Sequence, residues 1–235
     1  LAFVNELARR PETVVFGGVR NPAQATDLQA LAGAHPGKVH IVKVVSADRA
    51  GNDAAIQEIK QVAGRLDVVI ANAAISDSFE PALEVPPAQV VRHVEVNTNG
   101  PLVLFQAAYS LLRESPQPKF VTVTSVLASI SVASQLPIDT YAYSASKVAV
   151  NWIMCKLHHD FPDFVIFPIS PGCVETDMAR LSRAAGEQFA EFQRIYTPIP
   201  PEESARQMLE QVDVATRETH GAQFVDYTGL GKWGW

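Results

Sequence analysis

The sequence predicts an α/β chain built as a doubly wound parallel sheet with helices on both faces, and three observations carry that expectation. Short β-branched runs recur along the chain and are apolar throughout, as strands covered on both sides must be. Segments with apolar residues at helical spacing separate these runs, so strand and helix alternate. Residues able to do chemistry follow the ends of the runs, where ligands sit in an open parallel sheet.

Taken in order, Leu1 to Arg10 carries Phe3, Val4, Leu7 and Ala8 at helical spacing, and Pro11 ends it before a strand over Thr13 to Val19. A second strand is expected over Val39 to Val45, an amphipathic helix over Asp53 to Ala63, and a short strand over Asp67 to Ala71. A helix through Gln89 to Asn97 continues to Leu112, bent by Pro101. Strand Phe120 to Thr124, helix Tyr141 to Asp160 and strand Val165 to Ile169 follow. The chain then turns irregular, with helices expected near Ala184 to Arg194 and over Glu202 to Thr216, and a last strand over Gln223 to Tyr227. Right-handed crossovers between such strands give a Rossmann-like architecture.

With 235 residues, 47% of them hydrophobic and 19% charged, the chain can fill one large core, so a single domain over 1–235 is expected. A net charge of -6 lacks the basic excess that nucleic acid requires, which excludes that class of partner. No apolar run reaches the roughly 18 residues of a membrane span, and no basic region leads into an apolar core at the start. A cytoplasmic protein is expected. Cys155 and Cys173 lack redox or zinc spacing and read as reduced, structural thiols; His158 and His159 read as helix-terminal residues favoured by the dipole, and no metal site is expected.

Tyr143 and Lys147 stand four apart in Tyr-Ser-Ala-Ser-Lys on the expected helix, hence on one face about one turn apart. A phenol acting near neutrality needs its phenolate stabilised, and a neighbouring ammonium does this. Tyr141 has Ala145 four residues on and gains nothing comparable. Ser125, at a strand end, offers a hydroxyl where a carbonyl oxygen could be bound. Asn97 lies mid-helix, where an amide is a poor helix former, beside Gly100 and Pro101. On the nucleotide side, Arg20 follows the first run where an acidic residue would accept the ribose hydroxyls of NAD, and an arginine there suits a 2′-phosphate. Asn72 and Ala73 end the third run, where small residues allow close approach to an adenosine, and Pro171, Gly172, Val174 and Thr176 follow the strand Val165 to Ile169.

These motifs, taken in order, resemble the short-chain dehydrogenase/reductase family, whose pattern Asn-Asn-Ala-Gly, Asn, Ser, Tyr-x-x-x-Lys and Pro-Gly-x-x-x-Thr covers nearly the whole chain. The resemblance implies a tetrad of Asn97, Ser125, Tyr143 and Lys147, with Lys147 also binding the nicotinamide ribose and Asn97 holding a relay water. Gly-Val-Arg-Asn-Pro at 18–22, Asn-Trp-Ile at 151–153 and Thr-Asp-Met at 176–178 are most similar to the ketoreductases related to norsolorinic acid ketoreductase. That implies NADP(H) as cofactor, a ketone or alcohol as small-molecule substrate, and a homodimer or homotetramer through the helices holding Gln106 and Tyr143. The family's first strand and Gly-x-x-x-Gly-x-Gly loop are not found in the sequence and are expected upstream of Leu1. Val45, Ala71, Ala74 and Cys173 also depart from the pattern, and the long Ser125 to Tyr143 interval leaves Ser129 and Ser131 as alternatives.

The stretch 178–200 carries Leu181, Phe189, Phe192, Ile195 and Tyr196 and is expected to form a substrate lid over a bulky, apolar or aromatic ketone. Two other readings stand beside the ketoreductase: a noncatalytic NADP-binding or regulatory relative with an incomplete cofactor site, and a sugar-nucleotide epimerase. About 60 residues after the last motif are too few for the separate substrate domain an epimerase needs.

Overall fold

The computed structural model describes residues 1–235, and its elements alternate along the chain as α1 (Ala2–Ala8), β1 (Val15–Val19), α2 (Thr26–Ala34), β2 (Val39–Lys43), α3 (Arg49–Ala63) and β3 (Val68–Ala71). There follow α4 (Pro87–Val94), α5 (Gly100–Leu112), β4 (Lys119–Val123), α6 (Ile130–Ala133), α7 (Tyr141–Asp160), β5 (Val165–Ser170), α8 (Asp177–Ala185), α9 (Glu187–Ile195), α10 (Pro201–Val214), α11 (Arg217–His220) and β6 (Val225–Asp226). All strand pairings are parallel, in the orders β1-β2 and β3-β4-β5-β6. No helix is long and apolar enough to cross a membrane.

The strands at the centre behave as double-sided burial requires: every residue of β4 and β5 is buried. Phe120 and Ile166 join α5 and α7 in one apolar cluster, while Val121, Phe167 and Ile169 face Met208 and Val212 of α10 in a second. Fixed strand register then brings the carboxyl ends of β4 and β5 level, with Val123 beside Ile169.

The expectation of one continuous sheet is only partly met. β1 bonds β2 on one edge and β3 bonds β4 on one edge, and between their other edges runs a cleft of about 1070 Å³. Helices close it from both sides: α3 packs on α5, and α1 packs on α10, where Arg10 bonds Asp213 at 2.8 Å. Val15, Val69, Ile56, Leu104 and Val212 make much of its wall apolar.

Helix ends follow local chemistry. Asp48 accepts from the Gly51 amide to start α3, and Gly64 at φ 73° ends it in the left-handed conformation that glycine adopts without strain. The bend assigned to Pro101 lies just before it: residues Glu95–Asn99 widen into a π-helical turn, with Pro101 in the first turn of α5. Pro101 has no N–H for the Asn97 carbonyl four residues back, so an unbroken α ladder is impossible there. Two other expectations change. The helix near Ala184 to Arg194 is two helices, parted at Gly186, and α2 was not anticipated. His158 is the weaker cation at the end of α7, because burial and the neighbouring Arg217 hold its pKa below the usual histidine value. Arg217 does that work, donating to the carbonyls of His158, Phe161 and Phe164 at 2.8–3.2 Å.

Candidate active site

The carboxyl end of β4 meets α7. Ser125 follows β4 in extended conformation and accepts from the Leu127 amide at 3.2 Å, which fixes its hydroxyl at the start of a 3-10 turn. Tyr143 and Lys147 occupy consecutive turns of α7 and are 8% and 2% exposed. Lys147 Nζ donates to the Val123 carbonyl at 2.7 Å and lies 5.8 Å from the Tyr143 ring centroid. Tyr143 and Lys147 are therefore buried beside the strand end, with the half-buried Ser125 facing the phenol.

The electrostatics differ from the sequence expectation. Burial pushes the Tyr143 phenol up to about 12, opposed by a smaller pull from the facing Ser125 hydroxyl. Burial lowers Lys147 to about 7. The expected lowering of the phenol by the ammonium does not operate here, because Nζ is directed to a backbone carbonyl and desolvation dominates both groups.

Asn97 is fully buried in the π turn. Its Oδ1 accepts from the Ile75 amide at 2.8 Å and its Nδ2 donates to the Ile75 carbonyl at 2.9 Å and to Ser146 Oγ at 3.0 Å. Ser146 in turn donates to the Tyr143 carbonyl at 2.6 Å, and Thr98 Oγ1 to the Ser146 carbonyl at 2.8 Å. Asn97 thus clamps the chain after β3 to the turn of α7 that carries Tyr143, and its amide is fully committed. Sequence reasoning missed Ser146 and Thr98 as parts of this clamp, although Ser146 lies inside the Tyr-x-x-x-Lys segment.

The remaining candidates follow the carboxyl ends of β1, β3 and β5. Arg20 is exposed one residue past β1, while Asn72 and Ala73 are exposed past β3. Pro171, Gly172 and Val174 follow β5; Gly172 has φ 79°, and a Cβ there would meet the Tyr227 ring at 2.6 Å. Thr176 caps α8 by accepting from the Ala179 amide at 3.2 Å, so its hydroxyl is a helix cap. Ser129 and Ser131 belong to another contact: Ser129 caps α6 and donates to the Gly234 carbonyl at 2.7 Å, and the Ser131 amide donates to the Trp235 carbonyl at 3.2 Å. Ser125 remains the serine facing Tyr143.

The stretch after β5 is closed on itself. Val174 pairs with Ile199, the Glu175 amide donates to the Ile199 carbonyl at 3.0 Å, and the Ile199 amide to the Cys173 carbonyl at 2.8 Å. Within it Arg183 binds Glu175 and Gln193, and Phe189 meets Phe79 edge-on at 5.1 Å.

The family model for short chain dehydrogenase matches residues 1–187. The chain belongs to that family. It is 35% identical to an uncharacterized oxidoreductase, C663.08c, of Schizosaccharomyces pombe, over 97% of this chain and 91% of the relative. It is 32% identical to norsolorinic acid ketoreductase of Aspergillus parasiticus, over 99% of this chain and 85% of the relative. Among solved structures, an NADPH-bound carbonyl reductase from chicken fatty liver superposes with a TM-score of 0.83 at 22% identity, covering 99% of this chain and 93% of that one. The chain is therefore an oxidoreductase of the short-chain dehydrogenase family with the Rossmann-like fold expected from its sequence, and its relatives include ketoreductases.

Proposed function

We propose that this dehydrogenase is an NADP(H)-dependent ketoreductase that reduces a bulky apolar or aromatic ketone, with Asn97, Ser125, Tyr143 and Lys147 as its active-site tetrad. The observation that carries the reading is the buried pair Tyr143 and Lys147 at the end of β4, with the half-buried Ser125 hydroxyl facing the phenol. The donor set suits a nicotinamide nucleotide. Thr124 Oγ1 and Ser170 Oγ, at the ends of β4 and β5, are buried without partners, and Arg20 stands exposed at the end of β1 without an ion pair. Arg20 would hold the 2′-phosphate, Asn72 and Ala73 the adenosine, and Lys147 with Pro171, Gly172, Val174 and Thr176 the nicotinamide end. When bound, the nicotinamide supplies the hydride.

The residues of the chain manage the proton and the geometry. Ser125 donates to the carbonyl oxygen and orients it. Tyr143, kept protonated across the neutral range, is in the form that gives a proton to that oxygen as negative charge develops on it. Lys147, freed from Val123 toward the ribose, lowers the cost of the resulting phenolate. The Asn97 carbonyl, which receives no bond from Pro101, holds the water that returns the proton. Residues 178–200 close over the ketone as a lid, presenting Phe192 and Tyr196.

The cleft between β1 and β3 has the form of a seat for one more parallel strand, and it is where the family's first strand and glycine-rich phosphate loop belong. On its outer side α7 leaves Trp152 67% exposed, a surface for the homodimer or homotetramer expected of the family.

Titration of the protein with NADPH and NADH, followed by nucleotide fluorescence, tests the reading. NADPH is expected to bind more tightly, and Arg20→Glu to weaken NADPH by about tenfold or more while changing NADH little. Binding of neither nucleotide overturns the enzyme reading in favour of the noncatalytic one.

A further inference from the structure

Asp226, at the end of β6, is fully buried and receives more donors than a strand-end carboxylate needs for itself. Its Oδ1 accepts from the Thr228 amide at 3.1 Å, Thr228 Oγ1 at 2.6 Å and Lys232 Nζ at 2.9 Å, and its Oδ2 accepts from Trp233 Nε1 at 2.7 Å. A buried carboxylate is expensive unless its lone pairs are filled, and here the chain that follows doubles back to fill them. Lys232 also lies over the Tyr227 ring at 5.2 Å, and Tyr227 is the ring packed against Gly172.

This return path touches the segment after β4, the ring packed on the loop after β5, and the end of α9. Ser129 Oγ and the Ser131 amide, in the segment that follows Ser125, donate to the carbonyls of Gly234 and Trp235. Trp235 stacks on Phe224 with ring centroids 5.4 Å apart and an interplanar angle of 22°. Trp233, half-buried, lies 6.0 Å from Tyr196 at the end of α9, and Tyr196 is 4.7 Å from Phe192. One carboxylate therefore ties together the segment after β4, the loop after β5 and the aromatic end of the proposed lid.

We propose that residues 226–235 form a strap that positions the segment after Ser125 and the end of α9, and that Trp233 is a specificity-determining wall contacted by the ring of a bulky substrate. The specificity half rests on the ketoreductase reading; the positioning half does not. Trp233 is fixed by its own N–H to a buried anion, so its indole face is presented in one orientation, as a planar ligand requires. Asp226 is a positioning residue, acting through Trp233 and Lys232.

Two measurements on the whole protein test this. The first is amide hydrogen exchange without substrate, comparing the parent with Asp226→Asn and Trp233→Ala. Exchange in residues 126–140 and 187–199 is expected to quicken by about tenfold in both variants, because the strap's hydrogen bonds and ring contacts restrain both segments. Trp233→Ala removes a half-buried ring and keeps the test open should Asp226→Asn fail to fold. Faster exchange confined to the strap itself overturns the positioning role, and this measurement decides it whether or not the protein turns over a ketone.

The second compares reduction of 9,10-phenanthrenequinone and 2,3-butanedione with NADPH. Trp233→Ala is expected to raise KM for the planar quinone by about tenfold with kcat little changed, and to leave KM for butanedione within about twofold. Trp233→Phe should restore most of the quinone KM. Equal changes for the two probes, or none, overturn the wall; a parent protein that reduces neither counts against the ketoreductase reading itself.

Discussion

Lys147 has left water for a buried position with one hydrogen bond, to the Val123 carbonyl, and Tyr143 has done the same with only the Ser125 hydroxyl opposing burial. These two shifts set the pH dependence of stability. Lys147 falls from 10.5 in the unfolded chain to about 7 in the fold, so between those values the unfolded state holds a proton the native state lacks, and stability rises with pH across that window. Tyr143 moves from 10.0 to about 12, so above pH 10 the native state keeps a proton that the unfolded chain loses, and stability falls again. Lys147→Met is therefore expected to raise stability near pH 6 by roughly 2 kcal/mol, the relief of charge burial less one lost hydrogen bond. Denaturant unfolding at pH 6 and pH 10 checks this, and a gain that does not shrink at the higher pH refutes it. Tyr143→Phe should keep the fold and lower kcat by about 10³-fold, which steady-state kinetics on any reducible ketone would show.

At the scale of elements, the π turn before α5 is the joint that matters. Asn97→Ala would leave the Ile75 amide and carbonyl unpartnered inside the protein and release Ser146, at a cost of about 3 kcal/mol in chemical denaturation. A loss below about 1 kcal/mol would mean that the clamp is replaced by water. This joint also shows what could be read from the sequence. Asn97, Gly100 and Pro101 announced a weak helix, but the partner Ile75 lies 22 residues away and no local pattern points to it. Helix α7 was legible at both ends, since its motif, its apolar spacing and the terminating Phe161-Pro162 agree. Helix α2 was not, because its run of alanine and glycine buries only Leu28 and so has little periodicity. The break between α8 and α9 stood in the open as Gly186, whereas the proposed strap depends on Asp226 being buried, a property of the finished fold. The positions of the candidate residues past strand ends were readable, because the parallel sheet fixes where strand ends go.

Across the whole molecule, the strands form two blocks joined by helix packing and not by strand hydrogen bonds. Native-state hydrogen exchange is expected to sort accordingly. Amides of β4 and β5, buried at every residue and paired on both edges, should be the slowest, while those of β1 and β2 should exchange through a separate opening of lower free energy. Uniform protection across all six strands would contradict this. If the seat between β1 and β3 takes a further strand, the two blocks become one sheet and the difference should vanish.

The pairing of Val174 with Ile199 closes a long excursion of chain at its base. In polymer terms, the entropy of bringing the two ends of such a loop together grows as the logarithm of its length and is lost once, when the protein folds. On the lid reading proposed above, a ligand held beneath Phe192 and Tyr196 would not have to lose it again. On that reading the closed base leaves binding less chain to order. A loop tied this way can change its tip through substitution and length while its footing on the sheet, and the chemistry at that footing, stays the same.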